Sequence, residues 1–248
     1  MSQLRDRENG CEWDKQQTFK SIAPFTIEEA YEVVDAIDRE DINDLKEELG
    51  DLLLQVVFLS QIADEDNLFS FDDVAEAISS KLIRRHPYVF SNQQSHTSED
   101  QMNQWEEIKQ NERSLKKQEG TLDGIANNLP ALKRSQKIQD RASKAGFDWP
   151  DTEGIISKIK EETKEIEDAI KLNDTNLIKE EIGDLLMIVT NLAQKLNIDS
   201  EVALKDSSNK FIDRFRYIEN ELKKMDKEIS KVSFQELDSL WDESKKLR

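Results

Sequence analysis

The chain repeats itself, and this constrains it more than any other feature. Gly10–Asp14 (GCEWD) returns as Gly146–Pro150 (GFDWP), and Glu47–Leu53 (EELGDLL) returns as Glu180–Leu186 (EEIGDLL). Lys81–Arg85 (KLIRR) has an echo in Lys210–Arg214 (KFIDR), and Trp105–Lys109 (WEEIK) in Trp241–Lys245 (WDESK). The offsets are 136, 133, 129 and 136 residues, and the order is kept. One matching pentamer would be chance. Four in order define two homologous units, with changes in offset placed where loops absorb them. The expected organisation is a first domain over residues 1–119, a linker over 120–131 and a second domain over 132–248.

The fold class follows from what fills each unit. Seven Gly and 4 Pro in 248 residues are too few for a chain of tight β-turns, and no stretch alternates with the period of two that a half-buried strand needs. Helix start signals are frequent. Thr26 with Glu29 after Pro24 reads as a capping box opening a helix to about Arg39. Asp41 opens a second, and Ser70 with Asp73 a third that Pro87 stops. A fourth is expected over 98–119, then a Gly-, Asn- and Pro-bearing linker, then a connecting helix ended by Gly146. Helices over 152–172, 175–197, 200–228 and 233–247 complete an all-α chain.

Composition removes several functions. With 53 acidic and 35 basic residues, the formal net charge of −18 excludes the basic footprint of a general nucleic-acid binder. Cys11 is the single cysteine, so neither an internal disulfide nor a four-cysteine zinc site is available. Two histidines, His86 and His96, leave little for a His-rich centre. No apolar run approaches the roughly 18 residues of a membrane span. The opening MSQLRDRENGC lacks the apolar core of a secretory signal. A cytoplasmic protein without membrane or nucleic-acid-polymer partners is expected.

The acids themselves are placed with purpose. Glu162 and Glu165 stand at i, i+3 on one expected helix, and Glu181 and Asp184 at i, i+3 on the next. Residues three apart share a helix face, and the short connection at Asn173–Asp174 makes the helices antiparallel. Two such pairs converge four carboxylates. The first half repeats the arrangement with Glu29 and Glu32, then Glu48 and Asp51. In both halves 19 residues separate the first acid of one pair from the first of the next. A lone ExxE in so acidic a chain is an ordinary solvated face. Here Asp51 and Asp184 lead into apolar runs, where an acid needs a partner. Gly50 and Gly183 precede them at mid-helix, at a cost of about 1 kcal/mol relative to Ala, which suggests close approach of another group. Converging carboxylates repel unless protonated or bound to a cation. Oxygen-only ligands point to Mg2+, with Mn2+ as a substitute.

Cations and aromatics complete the set. Lys210 and Arg214, at i, i+4, suit a polyphosphate, Arg as a planar fork and Lys as a point charge. Arg84, Arg85 and Lys109 are their first-half counterparts. Trp241 could stack on a base or pack in a core. Asn191 lies seven residues after Asp184, where the first half has Phe58, so the second half keeps more polar equipment.

These residues resemble the MazG family of all-α nucleoside triphosphate pyrophosphohydrolases, in its two-domain bacterial form. The pattern EExxE, spacer, ExxD stands here as Glu28-Glu29-Ala30-Tyr31-Glu32 with Glu48-Leu49-Gly50-Asp51, and again as Glu161-Glu162-Thr163-Lys164-Glu165 with Glu181-Ile182-Gly183-Asp184. NGCEWDKQQT, RRHPYVF and KIQDRASKAGFDW are similar to the family as well. The resemblance implies a four-helix-bundle type of domain completed by homodimerisation, and Mg2+-dependent cleavage of a nucleoside triphosphate to the monophosphate and pyrophosphate. It implies that the C-terminal repeat is the active one. Carried over by motif, Glu162, Glu165, Glu181 and Asp184 would bind metal. Lys158, Glu161, Glu162, Lys179, Glu180, Asp184, Lys210, Arg214 and Trp241 would contact the nucleotide, with Glu161 as base toward water. Glu29, Glu32, Glu48, Asp51, Arg84, Arg85 and Lys109 would form a second site. Relatives usually have a leading helix ahead of the position of Arg5, so a loosened first domain is expected here. A pyrophosphatase selective for one base and a non-catalytic helical dimer acting as an adaptor are the alternative readings.

Overall fold

The computed structural model describes residues 1–90, 97, 100–101, 104–105, 107–109, 112 and 120–246. Within these residues the chain is helical and contains no strand. It divides into two compact units, Met1–Glu112 and Arg113–Arg248. The helix expected over 98–119 lies largely outside the described residues. None of the described helices is long and apolar enough to cross a membrane.

The first unit holds α1 (Glu12–Gln16), α2 (Phe19–Asp38), α3 (Ile42–Glu65), α4 (Phe71–Arg85) and the single turn α5 (Pro87–Phe90). α2 starts eight residues before the position expected from a cap at Thr26. Thr18 is the N-cap, and its hydroxyl exchanges hydrogen bonds with Ser21 in a capping box. Pro24 therefore sits inside the helix, where its missing N–H removes one backbone bond. The helix continues because Ile22, two residues earlier, is buried against Phe58 and Ile62 of α3. The Asp41 cap of α3 and the Ser70–Asp73 capping box of α4 form as expected. Glu40 takes the left-handed conformation, with φ 56°, and turns the chain so that α3 packs back along α2.

The loosening expected at the start of this unit is not what the structure shows. Met1 packs on the Ile22–Phe58–Ile62 centre. The Arg5 side chain is nearly buried; its Nε and Nη2 donate to the two oxygens of Glu65 at 2.9 and 2.7 Å, and Nη1 reaches the carbonyls of Asp14 and Gln17. Trp13 meets Phe25 and Phe58 edge-on, at 6.0 and 6.4 Å between centroids.

The second unit holds α6 (Ala131–Lys144), α7 (Thr152–Leu172), α8 (Thr175–Lys195), α9 (Ser200–Lys224), a 3-10 turn (Ile229–Lys231) and α10 (Phe234–Ser244). Gly146, with φ 92°, stands one residue past the cap of α6, as its position predicts. Asn173 in the left-handed region ends α7, and the Asp174 carboxylate caps α8 at the N–H groups of Asn176 and Leu177. Those two residues form a tight reversal, and α7 and α8 make the most extensive contact of the unit. α6 lies on α8 through a polar seam. Ser135 and Thr190 share a hydrogen bond at 2.5 Å and Asn191 Nδ2 donates to Gln139 Oε1 at 3.2 Å, while Ser200, at the start of α9, donates to Gln136 Oε1. A separate apolar centre, Ile218, Leu222 and Leu240, joins α9 to α10.

An apolar stripe stays uncovered in each repeat. Leu49, Leu53 and Val56 of α3 and Ile182, Leu186 and Val189 of α8 are equivalent under the 133-residue offset. All six are more than a third exposed. Their i, i+4, i+7 spacing puts each trio on one face.

Candidate metal and nucleotide site

The acids follow from the hairpins. In the second unit, side-chain oxygens of Glu162, Glu165 and Glu181 lie within 4.8 Å of one another. In the first, Glu29, Glu48 and Asp51 do the same. Each trio draws on both helices of its pair, which is what opposed i, i+3 acids on antiparallel helices produce. Asp184 and Glu32 stand outside these closest trios but act on them. The Glu181 carboxyl is pushed up by burial first, then by the charges of Glu165, Glu162 and Asp184. Glu29 is raised by burial, then by Asp51 and Glu32, and Glu48 by burial, then by Glu32. Such sets favour a bound cation with oxygen ligands, and three or four carboxylates suit Mg2+ or Mn2+.

The two sets differ in what borders them. Lys158 Nζ forks to Glu161 and Glu162 at 2.7 Å each, and the two acids hold its ammonium well above the usual range. Glu162 is buried, so Lys158 is the cation that compensates it. The 133-residue offset places Phe25 at the matching point of the first repeat. There Gln55 Nε2 donates to Glu29 Oε1 at 3.2 Å instead. Lys179 and Glu180 are exposed on α8, and Glu180 adds its charge to Glu181.

Two expectations are corrected. No atom lies within 4 Å of where a Cβ would stand at Gly50 or Gly183, so the close approach expected there is not made within the chain. Phe58 and Asn191 do not flank the acids. Phe58 is buried with Ile22 and Ile62, and Asn191 is buried in the seam with α6. The second-half cations stand on α9, outside the α7–α8 hairpin that carries the acids. Lys210 and Arg214 line a groove of about 450 Å³ with Asp206, Asn209, Asp213, Tyr217 and Ser244, and no member of the acidic quartet lines it. α9 packs mainly on α10 and lightly on α8.

Around that groove the aromatic reading has two parts. Trp241 is half-buried; it packs on the Ile218–Leu222–Leu240 centre, with Phe211 5.0 Å away, while the Arg214 guanidinium lies 5.4 Å from its ring centroid. The first repeat repeats the motif, with Arg85 5.6 Å and Lys109 5.5 Å from the Trp105 centroid. Here, however, Arg84 and Arg85 both bind Glu112, whose carboxyl they hold down at about 2 against the cost of burial.

A tandem all-α protein with a carboxylate cluster on each helical hairpin and a basic–aromatic helix pair after it is a class with relatives. The family model of the MazG nucleotide pyrophosphohydrolase domain matches twice, over residues 17–90 and 151–218. The chain belongs to this family. It is 46% identical to the nucleoside triphosphate pyrophosphohydrolase of Escherichia coli K12, over 99% of this chain and 94% of that one. It is 42% identical to the nucleoside triphosphate pyrophosphohydrolase/pyrophosphatase MazG of Thermotoga maritima, over 99% and 92%. It is also 40% identical to the uncharacterized protein YabN of Bacillus subtilis, covering 96% of this chain and 48% of that one.

A stability prediction follows from the acids. A carboxyl raised in the folded state binds more protons than its unfolded counterpart, so stability falls as pH rises from the ordinary carboxylate value through the raised one. Glu29, Glu48 and Glu181 are all raised. Millimolar Mg2+ is therefore expected to raise the Tm at pH 7 by several degrees, and the gain is expected to fade as the acids protonate toward pH 4. Thermal unfolding across pH, with and without Mg2+, checks this; a gain independent of pH would detach the ion from these carboxylates.

Proposed function

We propose that the chain is a Mg2+-dependent nucleoside triphosphate pyrophosphohydrolase, cleaving at the α-phosphorus to release a nucleoside monophosphate and pyrophosphate. The observation that carries this is the convergence of Glu162, Glu165 and Glu181, with Asp184 beside them and Lys158 on the rim. The names of the E. coli and T. maritima relatives support the same reading.

Glu162, Glu165, Glu181 and Asp184 would hold the metal. Bound there, Mg2+ would neutralise phosphate charge and make a water more acidic. The remaining work belongs to the chain. Lys158 stays protonated and can exchange its hold on Glu162 for a phosphate oxygen once a cation takes over that acid. Glu161 is exposed and shares Lys158, which supports a role as acceptor of the proton of the attacking water as that water adds to phosphorus. Lys210 and Arg214 would grip the phosphates, and Trp241 would face the base.

In one chain the acids and the basic groove lie on separate helix pairs, so the reading calls for a second copy. The exposed trios on α3 and α8 supply an interface, and the open space at Gly50 and Gly183 leaves room beside each acid pair. A cytoplasmic homodimer acting on free nucleotides fits this arrangement. The test is incubation of the purified protein with ATP and Mg2+, separating AMP plus pyrophosphate from ADP plus phosphate. Turnover of one nucleotide base alone would make it a base-selective enzyme, and no Mg2+-dependent turnover of any nucleotide would leave a helical adaptor.

A further inference from the structure

The two basic–aromatic motifs are built alike and loaded differently. Under the repeat offsets, Arg85 stands where Arg214 stands, and Trp105 where Trp241 stands. Each arginine lies over its tryptophan, at 5.6 and 5.4 Å from the centroid. What differs is the anion. Among the described residues, Arg214 lies over its tryptophan, and although Asp206 and Asp213 line the same groove, neither forms an ion pair with it; Asp213 pairs with Arg216. Arg85 is held by Glu112, with Nε 3.2 Å from Oε2 and Nη2 on the same oxygen. Arg84 takes the other oxygen, with Nε 2.9 Å from Oε1. One carboxylate thus spends both oxygens on two guanidinium forks, the geometry in which such forks also take a phosphate. The Glu112 side chain is 14% exposed and that of Arg85 21%, so solvent screens the pair poorly. The sequence position matching Glu112 in the second repeat is Arg248, a residue of opposite charge.

We infer that Glu112 is a built-in anion that fills the polyphosphate seat of the first repeat, leaving there a latent triphosphate-binding site on Arg84, Arg85 and Trp105. The inference rests on the reading that Lys210 and Arg214 grip phosphate in the second repeat. A free polyphosphate must displace a paired, poorly solvated carboxylate in the first repeat and need not do so in the second. The site is closed by the chain's own charge rather than by a missing part. Nothing covalent is involved: one oxyanion replaces another on the same donors.

The test is calorimetric titration of the full-length protein with inorganic tripolyphosphate, without metal. The wild type is expected to bind one equivalent per chain. Glu112→Gln, which keeps the shape and removes the charge, is expected to bind a second with at least tenfold higher affinity than any residual first-repeat binding in the wild type. Adding Arg85→Ala is expected to abolish that gain. Glu112→Asp, whose shorter side chain pulls the carboxylate off one fork, is expected to show a smaller gain, and it carries the test if the Gln variant does not fold. One equivalent for all Glu112 variants would overturn the inference and leave the second-repeat reading standing. Two equivalents in the wild type, one lost with Arg85→Ala, would overturn it as well. No binding to the wild type with one equivalent gained in Glu112→Gln would support the inference and overturn the phosphate role of Lys210 and Arg214.

Discussion

Glu181→Gln with Asp184→Asn is expected to lower Mg2+-dependent pyrophosphohydrolysis of ATP by at least ~100-fold, whereas Glu48→Gln with Asp51→Asn is expected to keep most of it. Loss of groups that merely support a metal ligand costs about 10–100-fold, so loss of two ligands should cost more. Both repeats hold acidic trios within 4.8 Å, so the metal ligands do not distinguish them. Their borders do. The second site has Lys158 between Glu161 and Glu162, and the first has Phe25 at that point. The second has Lys210 and Arg214 open to a groove, and the first has Arg84 and Arg85 tied to Glu112. A repeat able to collect metal but not triphosphate should contribute little turnover. Steady-state rates of both double variants, with circular dichroism to verify folding, decide the matter. Equal losses would mean two working or coupled sites, and loss from the first pair alone would reverse the assignment.

Leu53→Asp with Leu186→Asp is expected to convert the protein from a species of twice 28.8 kDa into a monomer in sedimentation equilibrium. Both residues are more than half exposed, at the centre of equivalent trios on α3 and α8. Full burial of a Val, Leu or Ile side chain is worth roughly 1.5–3 kcal/mol, so six such residues per chain provide an ample driving force for pairing. Placing two uncompensated charges in that contact should cost at least about 4 kcal/mol, or ~1,000-fold in affinity. Activity should fall with the dimer if, as proposed, the acids of one copy work with the basic groove of the other. A wild-type monomer at micromolar concentration would refute the proposed pairing. A persistent dimer of the double variant would place the interface elsewhere.

The helical class, the tandem repeat and the acid-bearing hairpins were legible because they depend on local rules: spacing of three and four, capping residues and motif order. Gly146 and the Asp41, Ser70–Asp73 and Asp174 caps behave as their chemistry dictates. The start of α2 was not legible. Pro24 reads locally as a boundary, and only the burial of Ile22 against a distant helix outweighs it. Phe58 and Asn191 were misplaced for a similar reason. Heptad spacing put them on the face of the acids, but seven residues advance about 10 Å along an α-helix, and packing on other elements claimed both. The Lys158–Phe25 contrast was present in the repeat alignment all along. Its meaning needed the buried position of Glu162, which no spacing reveals.

The polar seam between α6 and α8 has a consequence for how the second unit assembles. None of the residues of α6 is fully buried, so little apolar area holds that helix in place. Its docking relies on Ser135 with Thr190 and Gln139 with Asn191 of α8, and on Gln136 with Ser200 at the start of α9. An apolar stripe accepts a slide of one turn at small cost, because Leu and Ile have no directional demand. Here the same slide would break three directional pairs together and leave buried polar atoms unmatched. The seam therefore adds little adhesion and much alignment: α6 fits α8 in a single register, and the chain leaving the preceding linker enters the repeat at a fixed phase.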